Sequence, residues 1–306
     1  MTVCIAAICQ YQGNALIVGA SDRMLTVGGE IEYEPPQHKV YRMTDKAVIL
    51  IAGDTSDQWI IGQSVARQIK GEGITDIAEM ANLYAKEFAS HRRKEAEARL
   101  LAPLGLTFSS LIDRQDEMAL SVVEDLNYKL QHHRLDAAAI LAGIDQYGAH
   151  IYSVHDPGIE TCHDREGFAA IGIGASHALS HFMFSKYMPM WSMPHALLLT
   201  YAAKKRSEVA PGVGSDTDMF FVETPTPTNL IRSDYIGTIS TIYEESKAAQ
   251  DGILEGARER MTTYAEAETR KAAEEKRKKS QPPATEATEQ KVIRGDFTKG
   301  EREDRP

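Results

Sequence analysis

Directly after Thr2 the chain reads Val3, Cys4, Ile5, Ala6, Ala7, Ile8, Cys9, a run too apolar to remain in water and too short to span a bilayer. A second apolar run, Ala15 to Ala20, follows across Gln12-Gly13-Asn14, and two such runs joined by a short glycine-containing turn signal a β-hairpin. The protein is therefore expected to begin with a buried strand pair, Thr2 to Gln10 and Ala15 to Ser21, around which the rest must pack.

Thr2 also carries chemistry. An initiator methionine before a small residue is ordinarily removed, which would leave a hydroxyl and a free α-amine on one residue. An α-amine titrates near about pH 8, so a neutral fraction can take the hydroxyl proton without any histidine. The plainer alternative is that Thr2 is only the first residue of a buried strand.

Further along, Lys39 to Met43 and Ala47 to Ile51 flank Thr44-Asp45-Lys46 as a second hairpin. Ser56 is expected to cap a helix carrying Trp59, Ile60, Val65 and Ile69, and Thr75 and Asp76 to open a second helix reaching Arg92 to Arg99. Pro103 and Gly105 break that element, and Glu117 to Leu130 begins another. Leu135 to Ile144 and Ala149 to Val154 read as a strand pair around Tyr147-Gly148. Ser176 to Tyr187 and Pro194 to Val209 read as helices, and Met219 to Glu223 as a closing strand. Strands in two groups with helices between them predict an α/β (α+β) layered domain.

Beyond Ile231 the composition changes. Tyr243 to Lys279 is rich in Ala, Glu, Lys and Arg, with Ile253, Leu254, Met261 and Tyr264 too sparse for a core stripe, so a long solvated helix is expected that touches other elements only near its start. The residues after it have almost nothing to bury. The expected organisation is a folded domain over 2–243, a solvated helix over 244–279 and a disordered tail over 280–306.

A hydrophobic content of 42% supports a sizeable core, and a net charge of -10 argues against a nucleic-acid binder held by phosphate contacts. No apolar stretch reaches membrane-span length and no basic leader precedes the first run, so a cytoplasmic protein without membrane association is expected. Cys4, Cys9 and Cys162 are odd in number and without motif spacing; they read as reduced thiols, the first two packed in the sheet.

Three segments in order, Ser21-Asp22-Arg23-Met24-Leu25-Thr26, Gln37-His38-Lys39-Val40-Tyr41-Arg42-Met43 and Val48-Ile49-Leu50-Ile51-Ala52-Gly53-Asp54, resemble the N-terminal half of a proteasome β-type subunit, a member of the N-terminal-nucleophile hydrolases. A second set continues the likeness: Ala138 to Asp145, Gly148 to Gly158, and Ala169-Ala170-Ile171-Gly172-Ile173-Gly174. Together the resemblance spans Thr2 to about Glu223. It implies a four-layer αββα sandwich, two antiparallel sheets between helical layers, with the long helix as a C-terminal extension.

The resemblance also assigns roles. Thr2 would be the nucleophile, Lys39 the cation that lowers the pKa of its amine and hydroxyl, Asp22 the carboxylate that orients Lys39, and Gly53 the backbone N–H donor to the oxyanion. Ile51 and Thr55 would line the pocket for the residue before the cut, favouring apolar side chains. Without the resemblance, Lys39 could be an exposed strand lysine, and Asp22 and Gly53 simple turn residues. The chain departs from the family where Gly-Ser-Gly becomes Gly172-Ile173-Gly174, and where Ala210 and Val213 stand for a carboxylate and a second hydroxyl. The α-amine would then rely on water or on Ser215 or Asp216. These departures mark a divergent member, of the kind found among bacterial relatives.

Other motifs are weaker. His155, Cys162 and His163 match no zinc spacing, His132-His133 reads as a solvated helix end, and Gly172-Ile173-Gly174 lacks the third glycine of a dinucleotide loop. No cofactor or metal is expected. Two functions from different classes follow: a threonine-type peptidase or amide hydrolase acting on peptides or unfolded protein within an oligomeric ring, with an ATPase unfoldase as a partner the family allows; or a catalytically silent subunit serving as an assembly or binding scaffold.

Overall fold

A computed structural model describes residues 2–27, 31–35, 38–224 and 228–280. The chain divides into one compact unit ending at Ser246 and a second beginning at Lys247. In the first unit the strands are β1 (Cys4–Tyr11), β2 (Asn14–Ser21), β3 (Leu25–Val27), β4 (Ile31–Tyr33), β5 (Val40–Thr44), β6 (Ala47–Gly53), β7 (Ala137–Ile144), β8 (Ala149–His155), β9 (Ile159–Cys162), β10 (Phe168–Ile171), β11 (Asp218–Val222) and β12 (Asn229–Leu230). The helices are α1 (Thr55–Glu72), α2 (Ile77–Ala96), α3 (Phe108–Arg114), α4 (Leu120–His132), α5 (Ala175–Phe184), α6 (Met193–Ser207) and α7 (Ser233–Ser280), the last extending into the second unit.

Among the described residues the strands form two five-stranded antiparallel sheets, ordered β10-β1-β2-β11-β12 and β5-β6-β7-β8-β9, and a two-stranded ribbon, β3-β4. The period-2 alternation of a strand explains the layers. Val3, Ile5, Ala7 and Cys9 face the cluster formed with Phe182, Leu197 and Ala203 of α5 and α6. Cys4, Ala6 and Ile8 face the opposite way, into a second cluster with Leu50, Ile140 and Ile151 of the other sheet. The outer face of that sheet packs through Ile49, Leu141 and Val154 on Ile61, Val65, Tyr84 and Phe88 of α1 and α2. The architecture is thus the four-layer αββα sandwich, and each fully buried isoleucine or leucine in it contributes about 1.5–3 kcal/mol.

The first hairpin turns at Gln12 and Gly13, both left-handed (φ 50° and 84°), with Tyr11 opposite Asn14. That is the mirror-image turn whose twist matches two-residue hairpins, and glycine bears its second position without strain.

Several expectations are corrected. The cap of α1 is Asp54, not Ser56: the Asp54 carboxylate accepts the N–H groups of Ser56 and Asp57, satisfying two orphan donors beside the positive end of the helix. This phase turns Gln58, Ile61, Val65 and Ile69 inward and leaves Trp59 and Ile60 exposed. Asp76 does cap α2. A short helix, α3, precedes α4, initiated by a Thr107–Ser110 capping box, and both cover a small leucine cluster of Leu101, Leu106, Leu111 and Leu126. The last helix begins already at Ser233, because Ile236, Ile239 and Tyr243 pack on the α6 side of the core. In the second unit, Ile253, Leu254, Met261 and Tyr264 are exposed on α7. The tail expected after it lies outside the described residues. No helix among those residues is long and apolar enough to cross a membrane.

One charged clamp ties the β7–β8 turn to the end of β9. His150 places Nδ1 at 2.7 Å from Asp164 and Nε2 at 3.2 Å from Asp145, whose other oxygen accepts the first N–H of α2. Only the imidazolium can donate from both nitrogens. Burial opposes its charge, but the hydrogen bonds and charges of Asp164 and then Asp145 prevail, raising the His150 pKa above the ordinary imidazole value. A raised folded-state pKa contributes stability that is fully present below the unfolded pKa, about 6.5, and is lost as pH climbs through the folded value. His150→Gln is therefore expected to lower Tm at pH 5.5 by roughly 2–4 °C, about 1 kcal/mol after solvent screening of this partly exposed pair. The gap should close by about pH 9. Thermal melts across that range check it; a constant gap would mean that the ring acts by packing alone.

Candidate active site

The site forms where the two sheets meet the start of β1. Thr2 lies two residues before that strand and is buried. Its carbonyl accepts the Gly174 N–H at 3.2 Å. Gly172 makes this approach possible: it is left-handed (φ 90°), and a Cβ there would lie 2.2 Å from the Thr2 oxygen.

β2 runs antiparallel to β1 with Ser21 opposite Cys4, which sets the next residue, Asp22, against Val3. The backbone closes that corner in both directions, Asp22 N–H to the Val3 carbonyl at 3.2 Å and Val3 N–H to Asp22 Oδ1 at 3.0 Å. Met24 and Gly214 N–H groups each reach Asp22 Oδ2 at 3.1 Å. A buried carboxylate needs hydrogen-bond donors and a cation around it, and here the backbone supplies the donors.

The cation is Lys39, which enters from the other sheet. It stands before β5 and its carbonyl accepts the Ile51 N–H at 3.3 Å, so β6 holds its backbone. Nζ donates to Thr2 Oγ1 at 2.5 Å and the Met24 carbonyl at 2.5 Å, and shares its remaining hydrogen between the Asp22 oxygens at 3.1 and 3.2 Å. The Thr2 hydroxyl in turn donates to Asp22 Oδ1. The hydroxyl oxygen thus faces an ammonium while its hydrogen faces a carboxylate. That polarises the O–H bond and stabilises an alkoxide developing there.

Thr2, Asp22 and Lys39 are thereby brought into one hydrogen-bonded cluster. Gly53 ends β6 at the same end of the sheet as Lys39, left-handed at φ 98°; a Cβ there would sit 2.0 Å from the Asp136 carbonyl, so only glycine fits. Ile51 is buried within the cluster facing α1 and α2, and Thr55 is exposed as the first residue of α1. Ala210 and Val213 are buried apolar residues, with Val213 packed near Gly174. Ser215 and Asp216, named as neighbours on which a free α-amine could rely, face Glu34 in the chain that retains Met1. The Ser215 hydroxyl and the Asp216 N–H donate to Glu34 at 3.3 and 3.0 Å, and no hydrogen bond joins either residue to Thr2 among the described residues.

A thiol, that of Cys4, lies close by. Burial pushes the Cys4 thiol up to about 12, against the pull of the Lys39 ammonium, so it remains protonated and is not a competing nucleophile. Of the other motifs, His163 pairs through Nε2 with Ser153 Oγ at 2.8 Å, and Cys162 is exposed.

Four supporting residues, Asp218, Arg23, His38 and Ser207, have no role in the sequence reading. Asp218, in β11 opposite Ser21, accepts Arg23 through Nε at 3.0 Å and Nη2 at 2.6 Å, and His38 Nδ1 at 2.7 Å. Arg23 directly follows Asp22 and His38 directly precedes Lys39, so one buried carboxylate ties together the two segments carrying the central ion pair. Charged neighbours flanking both motif residues were the available signal. Ser207 of α6, the fourth, donates to the Gly174 carbonyl at 3.0 Å and steadies the turn that holds Thr2.

No family model matches the chain, and no curated protein matches it in sequence.

Proposed function

We propose that the protein is a threonine-type amide hydrolase of the proteasome β class, with Thr2 as its N-terminal nucleophile once Met1 is removed. The observation that carries this reading is the Lys39 ammonium and Asp22 carboxylate converging on Thr2 Oγ1. An ordinary structural threonine at a strand start needs neither. In the reaction Thr2 Oγ attacks the amide carbonyl while its proton passes to the freed α-amine, a base that contributes about 10²–10⁴-fold. Lys39 stabilises the alkoxide as it forms, and the Gly53 N–H receives the carbonyl oxygen's charge, an effect of about 10²–10³. Collapse of the tetrahedral adduct expels the amine, which takes the proton back, and leaves an ester on Thr2. Water then hydrolyses the ester and regenerates the hydroxyl.

Peptides or unfolded protein are the substrates this reading assigns, in the cytoplasm, within a ring of like subunits that an ATPase unfoldase could feed. The scaffold reading is favoured by one observation, the buried apolar Ala210 and Val213 where the family keeps polar support for the amine. Intact mass and labelling separate the two. The hydrolase reading expects a mass lacking Met1 and a covalent adduct with a peptide epoxyketone or boronate mapped to Thr2. A retained Met1 with no adduct would leave the scaffold reading standing.

A further inference from the structure

We propose that Lys204 is a positioning residue for the Thr2–Asp22–Lys39 cluster, acting through the peptide of Gly214. Lys204 projects inward from α6 and is completely buried. Burying an ammonium is costly unless every hydrogen finds an acceptor. Here all three do: Glu208 Oε1 at 2.6 Å, the Gly214 carbonyl at 2.8 Å and the Ser215 carbonyl at 2.9 Å. Two of these acceptors belong to adjacent residues of one loop, so the charge is spent on holding backbone.

The held loop is the one that reaches the site. Gly214, whose carbonyl Lys204 grips, gives its own N–H to Asp22 Oδ2 at 3.1 Å across a sequence separation of 192. From the other side, Glu34 accepts the Asp216 N–H and the Ser215 hydroxyl, and a Cβ on Gly214 would fall 1.8 Å from Glu34 Oε1 and 3.0 Å from Met24 Cβ. Lys204 behind and Glu34 in front therefore set the loop's depth. Only at that depth does the Gly214 amide meet the carboxylate that binds both Thr2 and Lys39.

A buried ion pair is weak support for stability in itself, since apolar residues of similar volume often serve as well or better. Donor placement explains why a lysine stands here. For its kinetic consequence the proposal rests on the hydrolase reading; its structural consequence can be measured without it.

The test uses the full chain and two variants, Lys204→Met, which removes the grip, and Gly214→Ala, whose methyl group crowds the Glu34 carboxylate and Met24 and removes the loop's front support while keeping the lysine. Residue-resolved amide exchange by NMR should show the amide at position 214 exchanging about ten- to a hundredfold faster in both, with the Phe220 amide of β11 unchanged. Labelling of Thr2 by a peptide boronate should slow by a similar factor, because the carboxylate that holds both Thr2 and Lys39 has lost a donor. Unchanged exchange at position 214, or equal acceleration at Phe220, overturns the proposal. If Lys204→Met does not fold, Gly214→Ala decides by the same comparison. A wild-type chain that takes no label refutes the hydrolase reading, and amide exchange then decides the Lys204 link alone.

Discussion

Thr2→Ala is expected to abolish covalent labelling and amide hydrolysis while leaving the protein folded. The substitution removes the hydroxyl placed between the Lys39 ammonium and the Asp22 carboxylate. Asp22 keeps the Val3, Met24 and Gly214 N–H groups and the lysine, so no buried charge is stranded. The stability loss should stay near the net value of a hydrogen bond, about 1 kcal/mol. Thr2→Ser, which retains the hydroxyl and the amine, should still label. Circular dichroism establishes the fold and mass spectrometry the adduct; an adduct that persists in Thr2→Ala would sink the assignment of the nucleophile.

Lys39→Ala carries the other large effect, and it acts on both activity and stability. Activity should fall at least about a hundredfold, because the hydroxyl loses the positive charge that makes it usable near neutral pH. Stability should fall as well, since Asp22 is left buried without its counter-ion. Breaking a buried pair by deleting one partner costs about 3–5 kcal/mol, and the three backbone donors that remain on Asp22 argue for the lower end of that range. Denaturant titration gives the stability and single-turnover labelling the rate. Wild-type labelling in Lys39→Ala would reduce Lys39 to a structural counter-ion of Asp22. A wild-type midpoint would mean instead that water replaces the ammonium.

Much of the fold was legible because its signals are local. The apolar runs at both ends of Gln12-Gly13 required a hairpin, Asp76 stood at the start of α2, and Gly105 stopped the segment before it. The spacing of Thr2, Asp22, Lys39 and Gly53 was likewise visible as a resemblance, and the structure places the first three in mutual contact. Short edge elements were not visible: β9, β12 and the β3–β4 ribbon hold a few residues each, with too little pattern to rise above a loop.

At α1 the sequence reading points to Ser56 as the cap, but Asp54 holds that place and accepts the N–H groups of Ser56 and Asp57. Within that helix Gln58 faces inward, where its amide donates to the carbonyls of Ala52 and Ala138, partners that lie in β6 and β7.

By itself the sequence determined the strand periodicity, the main turns and the residue types of the central cluster, since each depends on neighbours within a few positions. Tertiary structure alone decided that Lys204 is buried, that Asp218 joins Arg23 to His38, and that Gly214 serves Asp22 while Ser215 and Asp216 turn to Glu34. The Lys204 bonds span only 4 to 11 positions, but the others cross separations of about 180 to 195 residues, and no local preference specifies a partner so distant. They exist because two sheets stack in one register, and that register brings the end of β2, the start of β5 and the loop before β11 to the same point.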